Sequence, residues 1–178
     1  MKQVIRKAFI DVEKEESWLN SMASMGLALV DYSWCRYVFE KAEPNEHIYR
    51  IELLENHQSH AESISYIQFL EDNGIECVAT YTRWLYLRKK ACDGPFDLYT
   101  DAASRHRYYK RLGMFYNSIF TLEFTVGVIN LGIGVVTGYP INLFYAFLCL
   151  TLAFIFARIG APVKTKIRKY EQEKIIRE

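Results

Sequence analysis

Residues 112–136, LGMFYNSIFTLEFTVGVINLGIGVV, hold one ionisable side chain, Glu123. Thr137-Gly138-Tyr139-Pro140 follows, and then a second apolar run at 141–159, INLFYAFLCLTLAFIFARI, uncharged until Arg158. A helix rises about 1.5 Å per residue, and about 20 apolar residues cross a hydrocarbon core. Both runs are long enough, and the short joint turns them into a hairpin that enters and leaves by the same membrane face. The first run has thirteen Leu, Ile, Val or Phe residues, each favouring insertion by roughly 0.3 to 0.6 kcal/mol. The carboxylate of Glu123 opposes this by about 2.5 to 3.5 kcal/mol, so the sum stays favourable. A buried helix pair in a soluble core is the competing reading.

Charge sets the expected orientation. Arg105, Arg107, Lys110 and Arg111 precede the first run; Lys164, Lys166, Arg168 and Lys169 follow the second; the joint is uncharged. Basic flanks stay inside, so the expectation is a two-pass cell-membrane protein with both termini in the cytoplasm. The N-terminus lacks the apolar core of a secretory signal. Cys35, Cys77, Cys92 and Cys149 are scattered, which suits a reducing compartment without a disulfide framework. The four resulting segments are a cytoplasmic α+β domain (1–92), a juxtamembrane linker and helix (93–111), the transmembrane hairpin (112–159, with spans 112–136 and 141–159) and a basic tail (160–178).

The net charge of +1 hides an asymmetry: residues 1–104 carry eleven Lys or Arg against seventeen Asp or Glu, and residues 105–178 carry eleven against four. An acidic head is a poor nucleic-acid binder, because phosphate neutralisation supplies most of that affinity. The basic residues stand where anionic lipid attracts them.

The head reads as β-α-β-β-α-β. Residues 2–10 suit a strand, and Asp11 a helix cap. Trp18, Leu19, Met22 and Met25 form the helix's apolar face, and Gly26 ends it. Residues 27–41 are rich in β formers and read as one bent strand or two short ones; they pair with the alternating strand at 47–54 as a hairpin. Ser59 and Glu62 form a capping box. Ala61, Ile64, Ile67 and Leu70 form the second helix's inner stripe, and Gly74 stops it. A last long β region spans 75–90. This order predicts a ferredoxin-like fold, two helices on one face of an antiparallel sheet.

Such a sheet leaves its second face open. The candidate partner surface there is Trp34, Tyr37, Trp84 and Tyr86. It suits a second sheet in a homodimer, a protein partner or a flat ligand, and aromatic surface favours a protein. Asp97 or Thr100 caps a further helix that runs into the first span, and the tail either lies on the membrane or pairs with this helix.

For chemistry, Glu123 with Asn130 is the intramembrane polar contact. It acts in an oligomer or an ion path, or is a neutral acid bonded within the hairpin. Gly134, Gly138, Ala153 and Ala157 are the packing residues, as small residues let helices approach. His57 and His60 stand near Glu55 and Glu62, which reads as a solvated helix entry rather than a metal site. Glu13, Glu15 and Glu16 complement a helix dipole. No nucleophile elbow, Walker loop, GxGxxG or HExxH occurs, so nothing nominates catalytic residues, a metal or a cofactor.

Three groups of residues resemble a known family. They are Glu15-Glu16-Ser17-Trp18-Leu19-Asn20 with Met22-Ala23 and Gly26-Leu27, then Tyr37-Val38-Phe39-Glu40 with Tyr49-Arg50-Ile51, then Gly94-Pro95-Phe96-Asp97-Leu98-Tyr99-Thr100-Asp101. In this order they are similar to the bacterial domain-of-unknown-function family 2812, over residues 1 to about 111, with the hairpin as its companion. The resemblance implies no catalytic residues. It implies genes beside PadR-like transcriptional repressors, and so a regulatory or membrane-stress setting. The expected function is a membrane-anchored, non-enzymatic interaction module. Its partners would be membrane lipid and a protein, either a transcriptional repressor or a membrane complex. The alternatives are a small subunit of a membrane complex or transporter, and a ligand binder or enzyme on a ferredoxin-like dimer sheet.

Overall fold

The computed structural model describes residues 2–99 and 101–177, with side chains placed as far as residue 173. The chain divides into two compact units, Met1–Leu98 and Tyr99–Glu178.

The first unit is a mixed α+β body made of one motif used twice. Its elements are β1 (Gln3–Arg6), α1 (Val12–Ser24), β2 (Leu27–Ser33), β3 (Arg36–Lys41), β4 (His47–Leu53), α2 (Ala61–Asp72), β5 (Glu76–Tyr81) and β6 (Trp84–Lys90). They form two separate three-stranded antiparallel sheets, ordered β1-β3-β2 and β4-β6-β5. The β-α-β-β motif repeats at a constant offset. Gly26 and Gly74 both follow a helix with positive φ, and the register slips between Leu29 and Asp31 in β2 and between Cys77 and Ala79 in β5. The single ferredoxin-like sheet is therefore corrected. Each long β region is two strands, because turns at Trp34-Cys35 and Thr82-Arg83 fold it back. The 47–54 strand pairs with β6, not with its predecessor.

Local chemistry accounts for the helices. Asp11 caps α1, its Oδ1 accepting from the N–H groups of Glu13 (3.0 Å) and Lys14 (3.4 Å). Gly26 ends it at φ +78, where a Cβ would stand 3.0 Å from the Ala42 carbonyl oxygen, so glycine is needed for both conformation and space. Val12, Glu15, Leu19, Met22 and Ala23 face inward, while Met25 is exposed. The α2 cap is His60, whose Nδ1 accepts from the Glu62 N–H (3.4 Å); it replaces the expected Ser59. Ser63 and Leu70 are its buried residues, while Ala61 and Ile64 of the expected stripe point to solvent. β1 is shorter than expected and mostly exposed.

The second unit is a helical hairpin: α3 (Ala102–Thr137) and α4 (Pro140–Arg177). Asp101 caps α3 by accepting from the Ser104 N–H. Asp97 does not cap it, and Thr100, the other expected cap, lies outside the described residues. Gly138, at φ +73, ends α3 in the left-handed conformation. α4 runs on through Pro162, and its last turns pair with α3, as one of the two sequence readings held. The Tyr170 ring stacks on Tyr109 (5.5 Å, 10°). Both helices are long and apolar enough to cross a membrane, with mean hydropathy 1.9 and 2.0 in their most apolar windows.

Candidate functional site

Within the first unit, buried polar groups converge from both halves of the repeat. Glu15 of α1 accepts at one oxygen, Oε1, from the hydroxyls of Tyr37 on β3 (2.6 Å) and Tyr86 on β6 (2.7 Å). The ring of Tyr32 lies 4.8 Å from that of Tyr37 and 4.2 Å from that of Tyr86. Burial raises the Glu15 pKa above its usual value, and the two phenol hydrogen bonds act the other way. Burial also pushes both phenols upward. The neighbouring Glu16 is raised by burial as well, opposed first by Arg50 and then by the Ile51 N–H. Its Oε1 meets Arg50 Nη1 at 3.0 Å and its Oε2 accepts from Ile51 N at 3.1 Å. Glu15 and Glu16 are thus inward anchors, not solvated dipole partners. They fasten α1 of the first motif to strands of the second.

The free edge of β4 is closed in the same way. Asn20 Nδ2 donates to the Tyr49 carbonyl, and its Oδ1 accepts from the Tyr49 N–H. The Tyr49 hydroxyl oxygen in turn reaches the β2 bulge, accepting from Leu29 N at 2.8 Å. Arg88 donates to the Leu29 carbonyl (3.2 Å) while its guanidinium grips Glu76 by two bonds of 2.8 Å. These contacts bind the two sheets together at the irregularity in β2.

Of the four residues expected to form an aromatic surface, Tyr37 and Tyr86 are therefore core, 1% and 3% exposed. Their hydroxyls reach the buried Glu15 carboxylate, which draws them inward. Trp84 is half-buried. Trp34 alone stands out, 74% exposed, at the tip of the β2–β3 turn. Its φ is +29 and that of Cys35 +59. Two-residue hairpin turns need positive φ and favour Asn or Gly, so Trp-Cys holds a strained conformation there. The Trp34 ring lies 6.1 Å from that of Tyr81.

His57 and His60 take part in local hydrogen bonds at the entry to α2. His57 Nδ1 pairs with Ser59 Oγ (2.9 Å) and His60 caps α2. Among the described residues no cluster of His, Cys, Asp and Glu could hold a metal ion.

In the hairpin, small residues recur at heptad spacing along the seam. Gly127 and Gly134 of α3 and Ala146, Ala153 and Gly160 of α4 are buried, which keeps the two backbones close. A Cβ on Gly134 would lie 2.7 Å from Leu143 Cδ2, and one on Gly127 2.8 Å from Leu150 Cγ. The expected packing residues Gly134 and Ala153 belong to this seam. Gly138 serves instead as the turn, and Ala157 faces outward. Gly127, Ala146 and Gly160 were legible only at the heptad period. Glu123 is half-buried and neighbours Cys149 across the seam. Asn130 turns its amide back to the Val126 carbonyl (2.8 Å), so it is satisfied on its own helix.

Several basic residues at the open end of the hairpin have partners. Lys166 lies over Tyr109 (5.1 Å) and Arg105 over Tyr170 (6.0 Å). Arg107 donates to Ser104 Oγ (3.0 Å), and Lys169 stands 3.9 Å from Glu173. Lys110, Lys164 and Arg168 are exposed, and Arg111 is half-buried.

Comparison with curated proteins and with solved structures returned no match. The sequence profile described as "Protein of unknown function (DUF2812)" matches residues 11–122, from the cap of α1 into the apolar part of α3. Its reach is somewhat further towards the C-terminus than the motifs alone imply. Because the match spans most of the chain, the protein belongs to the DUF2812 family.

Proposed function

We propose that the protein is a two-pass membrane protein with both termini in the cytoplasm, whose α+β head is a non-enzymatic interaction module of a regulatory kind. One observation carries the membrane part. The hairpin's small residues are turned inward and its large apolar ones outward: Phe147 is 72% exposed, Val136 85% and Phe154 65%. A water-soluble helix pair buries its large apolar side chains, whereas a lipid-embedded pair packs through small residues and gives its large ones to the acyl chains. The basic residues at the open end favour the cytoplasmic side.

The interaction part rests on Trp34. A large aromatic held out on a strained turn is the kind of anchor that dominates binding energy at interfaces. Glu15 and Glu16 are both held by internal donors, which favours a scaffold over a proton-transfer site. The partner is a protein, for which a transcriptional repressor or a membrane complex is the expectation from the family resemblance.

Membrane fractionation and affinity purification of the full chain from native membranes test the two parts. The expected result is a membrane-bound protein that retains a partner, with recovery lost in Trp34→Ala. Equal recovery from wild type and variant rejects the surface; a protein in the soluble fraction rejects the anchor.

A further inference from the structure

We propose that a notch on the outer face of the hairpin binds one anionic phospholipid, with the phosphate held at Lys164 and Asn117 and an acyl chain lying along Phe120 and Phe156. The notch is shallow, about 70 Å³, and is bordered by these four side chains and by Gly113 and Gly160. This inference rests on the membrane reading above.

Three observations favour this occupant. The lining is graded, with the ammonium group of Lys164 and the amide of Asn117 towards the charged end and Phe120 and Phe156 towards the apolar one, and Tyr116 between them. The grade falls where the sequence itself changes from charged to apolar, since Arg158 ends the uncharged part of the second run and Lys164 is the first basic residue beyond it. A phospholipid has the same polarity gradient at the same depth. Lys164 also differs from its neighbours: Lys166 lies over a tyrosine ring and Lys169 beside Glu173. Among the described residues Lys164 has no carboxylate partner within ion-pair distance. An exposed cation at that depth suits a lipid phosphate, and a neutral zwitterionic headgroup suits it less because its own ammonium group competes. Finally, the absence of a side chain at Gly160 leaves the recess open, where a Cβ would stand 3.7 Å from Tyr116 Cβ.

The test is native mass spectrometry of the full-length protein in a neutral detergent, offered phosphatidylglycerol and phosphatidylcholine at equal concentration. Phosphatidylglycerol is expected to be retained roughly fivefold better, the effect of about 1 kcal/mol per interfacial cation. Lys164→Gln brings it down to the phosphatidylcholine level, and Lys169→Gln does not. Equal retention of the two lipids overturns the proposal. So does an equal loss in Lys164→Gln and Lys169→Gln, which marks diffuse charge. Displacement by glycerol phosphate at the same concentration also overturns it, since acyl contact would then contribute nothing. Fractionation reports separately on the membrane reading: a membrane-bound protein without lipid preference sinks the notch alone.

Discussion

The side chain of Asn20 hydrogen-bonds the backbone of Tyr49 in both directions, donating to its carbonyl at 3.0 Å and accepting from its N–H at 2.9 Å. An amide side chain thereby stands in for a neighbouring strand on the free edge of β4. Edge strands with unpaired backbone groups invite pairing with other chains. Here α1 covers the edge, and Glu16 extends the cover to Ile51 N.

Asn20→Leu is therefore expected to destabilise the head by about 1–3 kcal/mol, as it strands the buried N–H of Tyr49, whose carbonyl keeps the Arg50 Nη1 donor at 3.1 Å. Denaturant unfolding of the detergent-solubilised full chain, followed by tryptophan fluorescence, measures this. A midpoint unchanged from wild type would show that the edge does not need the cover.

Glu15 makes stability depend on pH in a defined direction. Its folded pKa is raised by burial, so above the ordinary carboxyl pKa the unfolded chain gives up a proton that the native state keeps. Stability is then highest at low pH and falls as pH rises through the interval between the unfolded and folded values. Glu15→Gln cannot ionise, so this component is absent from it. Unfolding curves taken across that interval are expected to show wild type losing ground relative to the variant as pH rises; parallel curves refute the assignment.

Tyr86→Phe leaves Glu15 with one phenol donor instead of two. Removing a hydrogen bond to a buried acid costs about 1–3 kcal/mol. Because the remaining acid loses a bond that lowers its pKa, the pH range of the Glu15 effect is expected to move upward, which the same titration reads.

Two glycines of α3 separate packing from propensity. A Cβ on Gly134 meets Leu143 at 2.7 Å and the Leu143 backbone nitrogen at 3.1 Å, whereas one on Gly132 meets nothing within 4 Å. Gly134→Val is expected to loosen the hairpin by about 1–3 kcal/mol, the usual cost of overpacking, and Gly132→Val is expected to leave it intact. Thermal unfolding in detergent distinguishes them, and equal effects would place the helix contact elsewhere.

Cys92 reports on topology. It is an exposed free cysteine of the first unit. An impermeant maleimide added to intact cells is expected to leave it unmodified and to label it after lysis. Labelling before lysis reverses the proposed orientation.

What the sequence made legible was local. Asp11, Gly26 and Gly74 punctuate the helices through their own backbone chemistry, and the two apolar runs declare themselves by length. The doubled motif was hidden because its turns carry no turn residues: Trp34, Cys35 and Thr82 adopt positive φ where Asn or Gly is the usual sign. The region at 75–90 therefore looked like one long strand, and that at 27–41 left one bent strand and two short ones equally open. Alternation along β3 and β6 placed Tyr37 and Tyr86 on a face without saying which face is inward. The clue lay in α1, where Glu15 falls at helical spacing between the buried Val12 and Leu19. A carboxylate in an apolar stripe calls for buried donors, and tyrosines supply them.

Pro162 lies inside α4 and has no N–H to offer the carbonyl of Arg158, one turn earlier. The helix therefore lacks one rung where its apolar segment meets its basic one. Beyond that gap the closing turns are held to α3 by Tyr170 on Tyr109 and by Lys166 over the same ring. A bend at that junction therefore breaks no further backbone hydrogen bond, so the polar turns can change direction without disturbing the ladder of the apolar ones.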